Sequence, residues 1–105
     1  MYEYKAFVER VIDGDTIQCH LDLGFNIFVK EKFRLAVINA PETSTPEGKE
    51  VKTLVENKLT GETVVLRVLK QDKYGRWLAT VILDGQDFNQ WLLDNGHAKL
   101  YGEKE

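Results

Sequence analysis

The chain has one cysteine and two prolines among its 105 residues. A lone cysteine excludes an internal disulfide framework. Two prolines and eight glycines exclude collagen-like and Pro-rich chains. No apolar run approaches the roughly 18 residues that a membrane helix needs, so no membrane association is expected. The first ten residues carry Glu3, Lys5, Glu9 and Arg10, which leaves no apolar leader segment and points to the cytoplasm. A basic surplus is missing too: 14 Lys and Arg stand against 17 Asp and Glu, a net charge of -3. Taken as a sum, that argues against a nucleic-acid binder, whose footprint is basic. What is present is globular: 43% of the residues are apolar and 30% charged, enough to bury one core. The length suits a single domain over residues 1–105.

Strand signals dominate the first forty residues. Val8, Val11 and Ile12 lie in a mixed run from Tyr4 to Ile12, which Asp13-Gly14-Asp15 breaks. From Thr16 to Leu23, Ile17, Cys19, Leu21 and Leu23 alternate with polar residues, the period of a half-buried strand. A third strand is predicted from Ile27 to Ile38, ending in Leu35-Ala36-Val37-Ile38, so the three form an antiparallel meander. Thr45-Pro46 reads as a helix start, with Val51, Leu54, Val55 and Leu59 at helical spacing and Gly61 as the stop. Strands follow at Thr63 to Leu69 and Trp77 to Leu83, separated by Tyr74-Gly75. After Asp84-Gly85, Phe88, Trp91 and Leu92 mark a short second helix that Gly96 closes. The order β-β-β-α-β-β-α is that of an OB-fold, an α+β arrangement built on a five-stranded, partly open Greek-key barrel.

Three segments carry chemistry-bearing residues. Asp13-Gly14-Asp15-Thr16 places two carboxylates at a strand break. Such a break is either a plain surface turn or a place where oxygen ligands for a hard cation converge. Arg34, between Phe33 and Leu35, faces away from both by alternation, onto a solvated face or into a site. Glu42 follows Pro41 at a strand end and is either a rigidly placed base or a cap for the nearby helix. Asp72-Lys73-Tyr74-Gly75-Arg76 closes a stretch from Arg67 to Arg76 with four basic residues and one acid, a local +3. That stretch is a polar hairpin or a strip that positions phosphates, with a tyrosine for stacking.

Together these segments resemble the staphylococcal nuclease (thermonuclease) family. The resemblance runs in order through Val11-Ile12-Asp13-Gly14-Asp15-Thr16, Phe33-Arg34-Leu35, Ala40-Pro41-Glu42-Thr43, Val55-Glu56-Asn57 and Asp72-Lys73-Tyr74-Gly75-Arg76. It implies an OB-fold and hydrolysis of phosphodiesters in DNA and RNA, usually with Ca²⁺, leaving 3′-phosphates. Residue by residue, Asp15 matches the first metal carboxylate, and Asp13 matches a nearby acid that supports the metal. Arg34 and Arg76 match the two phosphate-clamping arginines, and Glu42 matches the general base. Lys73 and Tyr74 match the pair that holds a terminal phosphate. Ala40 matches a position whose backbone carbonyl reaches the metal. One position departs: where the family has its second metal carboxylate, this chain has Asn39, whose amide oxygen can ligate a cation but brings no charge. The connection after Pro41 is also shorter than in the prototype secreted enzyme, and the prototype's third helix has no expected counterpart.

The expected function is therefore a Ca²⁺-dependent nuclease of low sequence specificity, acting as a monomer and preferring single-stranded DNA or RNA. The alternative, motivated by Asn39, is an OB module that binds nucleic acid without turnover. A protein-interaction module is a third reading, which the intact arginine pair opposes. Cys19 falls on the apolar phase of its strand and reads as core. His20 and His97 have no histidine partner, so zinc is not expected. Trp77, Phe88 and Trp91 read as packing residues, with base stacking a lesser role for Trp77.

Overall fold

A computed structural model describes residues 2–101. The first three strands are β1 (Tyr2–Asp13), β2 (Thr16–Asp22) and β3 (Phe28–Leu35), an antiparallel meander. The two-residue strand β4 (Ile38–Asn39) precedes helix α1 (Pro46–Leu59). Then come β5 (Thr63–Gln71), β6 (Trp77–Leu83), β7 (Gln86–Asp87), helix α2 (Phe88–Asp94) and β8 (Lys99–Leu100). β5 pairs back to β1, β6 pairs with β5, and β6 then runs parallel to β3. That last pairing closes β1, β2, β3, β5 and β6 into a five-stranded barrel, the OB-fold expected from the element order.

Alternation fills the barrel. Ile17, Cys19 and Leu21 of β2, Phe33 and Leu35 of β3, Leu66 of β5 and Val81 of β6 all point inward and are buried. Burial pushes the Cys19 thiol up to about 12, as suits a core cysteine. Helix α1 starts as its sequence dictates: the Thr45 hydroxyl accepts the Gly48 N–H at 3.0 Å, and Pro46 occupies the first turn. Val51, Val55 and Leu59, at successive i+4 positions, are its buried stripe. Gly61, at φ +80, turns the chain out of the helix into β5. In α2, Phe88 and Leu92 are buried, and Trp91 stacks on Phe88 with ring centroids 5.6 Å apart.

Two features correct the sequence reading. The predicted third strand does not run to Ile38. It ends at Leu35, and Val37 adopts φ 61, a left-handed conformation that is costly for a β-branched residue. The reversal is held from outside the segment, because the Ala36 N–H donates to the Ala79 carbonyl and the Tyr101 N–H to the Val37 carbonyl, both at 2.8 Å. The short strands β4, β7 and β8 are also additions, too brief to show a period. Asn89 is the second feature, a buried polar residue with no signature in sequence. Its side-chain oxygen accepts the Val81 N–H, and its amide donates to the Ala36 and Ala79 carbonyls, all at 3.0–3.1 Å. It thereby satisfies backbone groups at the end of the β3–β6 seam. Asn89→Ala takes this partner from the Val81 N–H and the Ala36 carbonyl, while the Ala79 carbonyl keeps the Ala36 N–H, and should cost about 2 kcal/mol of stability. A urea melt with an unshifted midpoint would refute that role.

Candidate active site

The site lies where the β1–β2 turn, the end of β3, the segment from β4 to α1 and the start of β6 meet. Asp13, Asp15, Arg34, Asn39, Glu42 and Arg76 line one cleft of about 240 Å³. Seven of the nine residues singled out in the sequence, Ala40 included, thus line it. Lys73 and Tyr74 do not. They stand exposed on the β5–β6 turn, where Lys73 Nζ lies 5.2 Å and Arg76 Cζ 5.4 Å from the Tyr74 ring centroid.

Two glycines allow the approach. A Cβ on Gly14 would sit 2.8 Å from the Ala40 Cβ and 2.9 Å from a Val51 methyl, so only glycine lets the acidic turn reach α1 and Ala40. A Cβ on Gly48 would fall 1.7 Å from the Glu42 carbonyl oxygen. That same carbonyl accepts the Thr45 N–H at 3.0 Å and its hydroxyl at 2.7 Å. The Glu42 backbone is therefore fixed against the start of α1. Its carboxylate is exposed and makes no hydrogen bond or ion pair among the described residues. The capping alternative is settled: the carbonyl of Glu42, not its carboxylate, engages the helix.

The two arginines are held differently. Arg34 is only 6% exposed, which overturns the solvated-face reading. Its guanidinium donates to the Ile38 carbonyl at 3.0 Å and to the Asn39 amide oxygen at 2.9 Å. It also approaches Asp15 Oδ2 at 3.5 Å and lies 4.6 Å from the Tyr101 ring centroid. Arg76 is half-exposed, and among the described residues its side chain makes one hydrogen bond, from Nε to Asp72 Oδ2 at 2.8 Å. The other oxygen of Asp72 accepts the Tyr74 and Arg76 backbone N–H groups, at 2.9 and 3.0 Å. Desolvation is the largest single influence on the Asp72 carboxyl and raises it, but these bonds and the Arg76 charge together outweigh it and hold the group below its ordinary value. One aspartate thus shapes the turn and tethers the Arg76 side chain, which lines the cleft.

Asp15 is buried. Its Oδ2 accepts the Ala40 N–H at 2.9 Å, and its own N–H donates to Asp13 Oδ1 at 3.2 Å. Burial pushes its carboxyl up to about 6, and the adjacent Asp13 adds to the rise, while the Ala40 N–H and Arg34 oppose it. The side chains that could offer oxygens to a cation here are those of Asp13, Asp15 and Asn39, the last already accepting from Arg34, and Ala40 lines the same cleft, a set suited to hard ions. An acid pair under-compensated by its protein partners fits such an ion. Among the described residues no three His, Cys, Asp or Glu side chains converge on a metal site, in keeping with the amide at position 39. Gly48, Asp72 and Tyr101 escaped the sequence reading as site residues. Asp72 stood inside a recognised motif, but Tyr101 carried no signal.

A family model for staphylococcal nuclease homologues matches residues 32–105. The thermonuclease of Staphylococcus hyicus is 37% identical over 108 residues, covering 93% of this chain and 60% of its own length. The thermonuclease of Staphylococcus intermedius is 38% identical, covering 90% of this chain and 59% of its own. An uncharacterized endonuclease of Escherichia coli O157:H7 is 34% identical, with the same two coverages, 90% and 59%. The barrel is an OB-fold that carries a cleft lined by two arginines and three carboxylates, and the match to the family model shows that the chain belongs to the staphylococcal nuclease family. It spans about 60% of the length of these relatives.

Asp72→Ala should leave the barrel intact but release Arg76, lowering kcat/KM on a phosphodiester about tenfold, or ~1.4 kcal/mol. Steady-state kinetics indistinguishable from the parent would show that Asp72 does not position the arginine. Gly48→Ala should both lower the melting temperature and reduce activity, because the added methyl cannot coexist with the Glu42 carbonyl. A normal Tm in a thermal melt would contradict this.

Proposed function

We propose that this chain is a metal-dependent phosphodiesterase that cleaves DNA or RNA with little sequence preference. The observation that supports it most is the convergence of Arg34, Arg76, Asp15 and Glu42 on one cleft. Calcium is the cation favoured by the all-oxygen donor set, with Asp15, Asn39 and the Ala40 carbonyl as ligands and Asp13 in support. When bound, the cation would polarise a phosphate oxygen and offset developing negative charge.

The protein's own groups supply the rest. Arg34, fixed by its buried contacts, and Arg76, tethered through Nε, grip the phosphate and stabilise the added charge of the five-coordinate transition state. Glu42, exposed and unpaired among the described residues, takes the proton of a water as its oxygen bonds to phosphorus. The P–O5′ bond breaks, the 5′ oxygen takes a proton from solvent, and a 3′-phosphate is left. Because backbone phosphates dominate binding, salt should weaken it. The second reading is an OB module that binds single strands without turnover, favoured by Asn39, which removes a negative charge from the cation site.

Digestion of single-stranded DNA and RNA, with Ca²⁺ and with chelator, separates the two. Cleavage is expected only with the metal. Intact substrate at every millimolar Ca²⁺ concentration would leave the binding module. Arg76→Ala should slow cleavage about 10²- to 10³-fold, and an unchanged rate would remove its clamp role. Asn39→Asp should tighten Ca²⁺ binding about tenfold by calorimetry, since ligand charge count sets affinity. Equal or weaker binding would place residue 39 outside the metal's shell.

A further inference from the structure

Phe33 and Leu35 point into the barrel, so Lys30, Lys32 and Arg34 share the outer face of β3, spaced roughly 7 Å apart as alternate strand residues. Arg34 ends this row inside the cleft, and Lys32 and Lys30 carry it outward. Gln18 and His20 of β2 stand in register with Lys32 and Lys30. The β5–β6 turn faces them. Gln18, Lys30 and Lys32 from the sheet and Tyr74 and Arg76 from the turn line a groove of about 430 Å³. Arg76 lines both this groove and the cleft, so the two are contiguous.

The charge of the groove is specific to it. Three cations, Lys30, Lys32 and Arg76, are set against one carboxylate, Glu31, giving +2 on a chain whose net charge is -3. Lys30 is shared with Glu9 at 3.5 Å, but that pair is more than one-third exposed on both sides and holds the lysine weakly. Glu9 is further engaged by Gln18 and His20. Lys32 has no ion-pair partner among the described residues. Tyr74, 70% exposed, presents an aromatic ring at the opposite wall. A row of cations leading away from a phosphate site, with an aromatic wall, is the chemistry that tracks a single-stranded backbone with unpaired bases.

We propose that this groove is a second backbone subsite, in which Lys32 and Lys30 hold phosphates flanking the scissile one and Tyr74 supports an adjoining base. The ligand is then a single strand several nucleotides long. The inference rests on the reading of the cleft as the phosphodiester site, but it concerns binding, so its test is separate from turnover.

The test is fluorescence anisotropy with labelled dodecathymidylate and dithymidylate, in chelator so that no strand is cut, over a range of salt. The protein should bind the longer strand more tightly. Lys30→Ser/Lys32→Ser should weaken dodecamer binding about tenfold and flatten the salt dependence by about 1.4 in log–log slope, for two phosphates lost from a single strand. Dinucleotide affinity should change less than about twofold, because the short ligand does not reach the groove. A charge-matched control elsewhere, Lys5→Ser/Lys52→Ser, should retain dodecamer affinity. Equal losses for both ligands, an unchanged slope, equal losses in the control, or no dodecamer binding by the parent would each overturn the subsite. Tight dodecamer binding in chelator, with the strand still intact after Ca²⁺ is added, would support the subsite while refuting the nuclease reading.

Discussion

The buried guanidinium of Arg34 is the interaction on which the site depends. An arginine with so little exposure is tolerable only when its donors are satisfied, and here the chain itself supplies the acceptors. The Ile38 carbonyl and the Asn39 amide reach it because the backbone reverses at Val37, against that residue's preference. The strain at Val37 and the burial of Arg34 therefore explain each other. The reversal brings β4 over the guanidinium, and the guanidinium anchors β4. The same fold-back delivers the Ala40 N–H to Asp15 and positions Pro41-Glu42 at the cleft rim. Removing Arg34 would thus disturb Asp15, Asn39 and Glu42 together, so a loss on its mutation is not the loss of one contact alone.

Close backbone approach is the second constraint. The acidic turn and the Glu42 segment both pack against α1, and both contacts are made where a glycine omits its Cβ. Helix α1 is consequently more than a barrel cover. Its Thr45 cap, Gly48 and Val51 form the surface on which two site segments rest. Helix and site are coupled through contacts shorter than any side chain would permit.

Much of this was legible in sequence, and what was missed has physical reasons. The long strands and α1 declare themselves through period, caps and turn residues, as Ile17–Cys19–Leu21 and Thr45-Pro46 show. The end of β3 was misjudged because Ala36-Val37-Ile38 has strand composition. Only the distant Ala79 and Tyr101 partners make the reversal stable, and local pattern does not contain them. Arg34 had a correct facing but an ambiguous environment, since alternation tells which side a residue takes and not what covers it. Asn89 and Tyr101 act across the fold, at separations where sequence carries no periodic signal. The motifs located Asp72, yet its role depends on a side-chain geometry that a pentapeptide does not specify.

The net charge of -3, at first an argument against a nucleic-acid ligand, is resolved by where charge sits. Around the cleft, Asp13, Asp15 and Glu42 oppose Arg34 and Arg76, a local sum of -1. A carboxylate at position 39 would make it -2 and would pair with Arg34 directly. With an amide there, Arg34 keeps its hydrogen bond but is less neutralised, Asp15 being its only acidic partner among the described residues and a distant one at 3.5 Å. The substitution thus moves the balance of the site in two directions at once. It weakens the pull on a cation by one charge and strengthens the pull on a phosphate. A cleft so tuned leans on its arginines, and on the cations that extend Arg34's row along β3, more than on its acids.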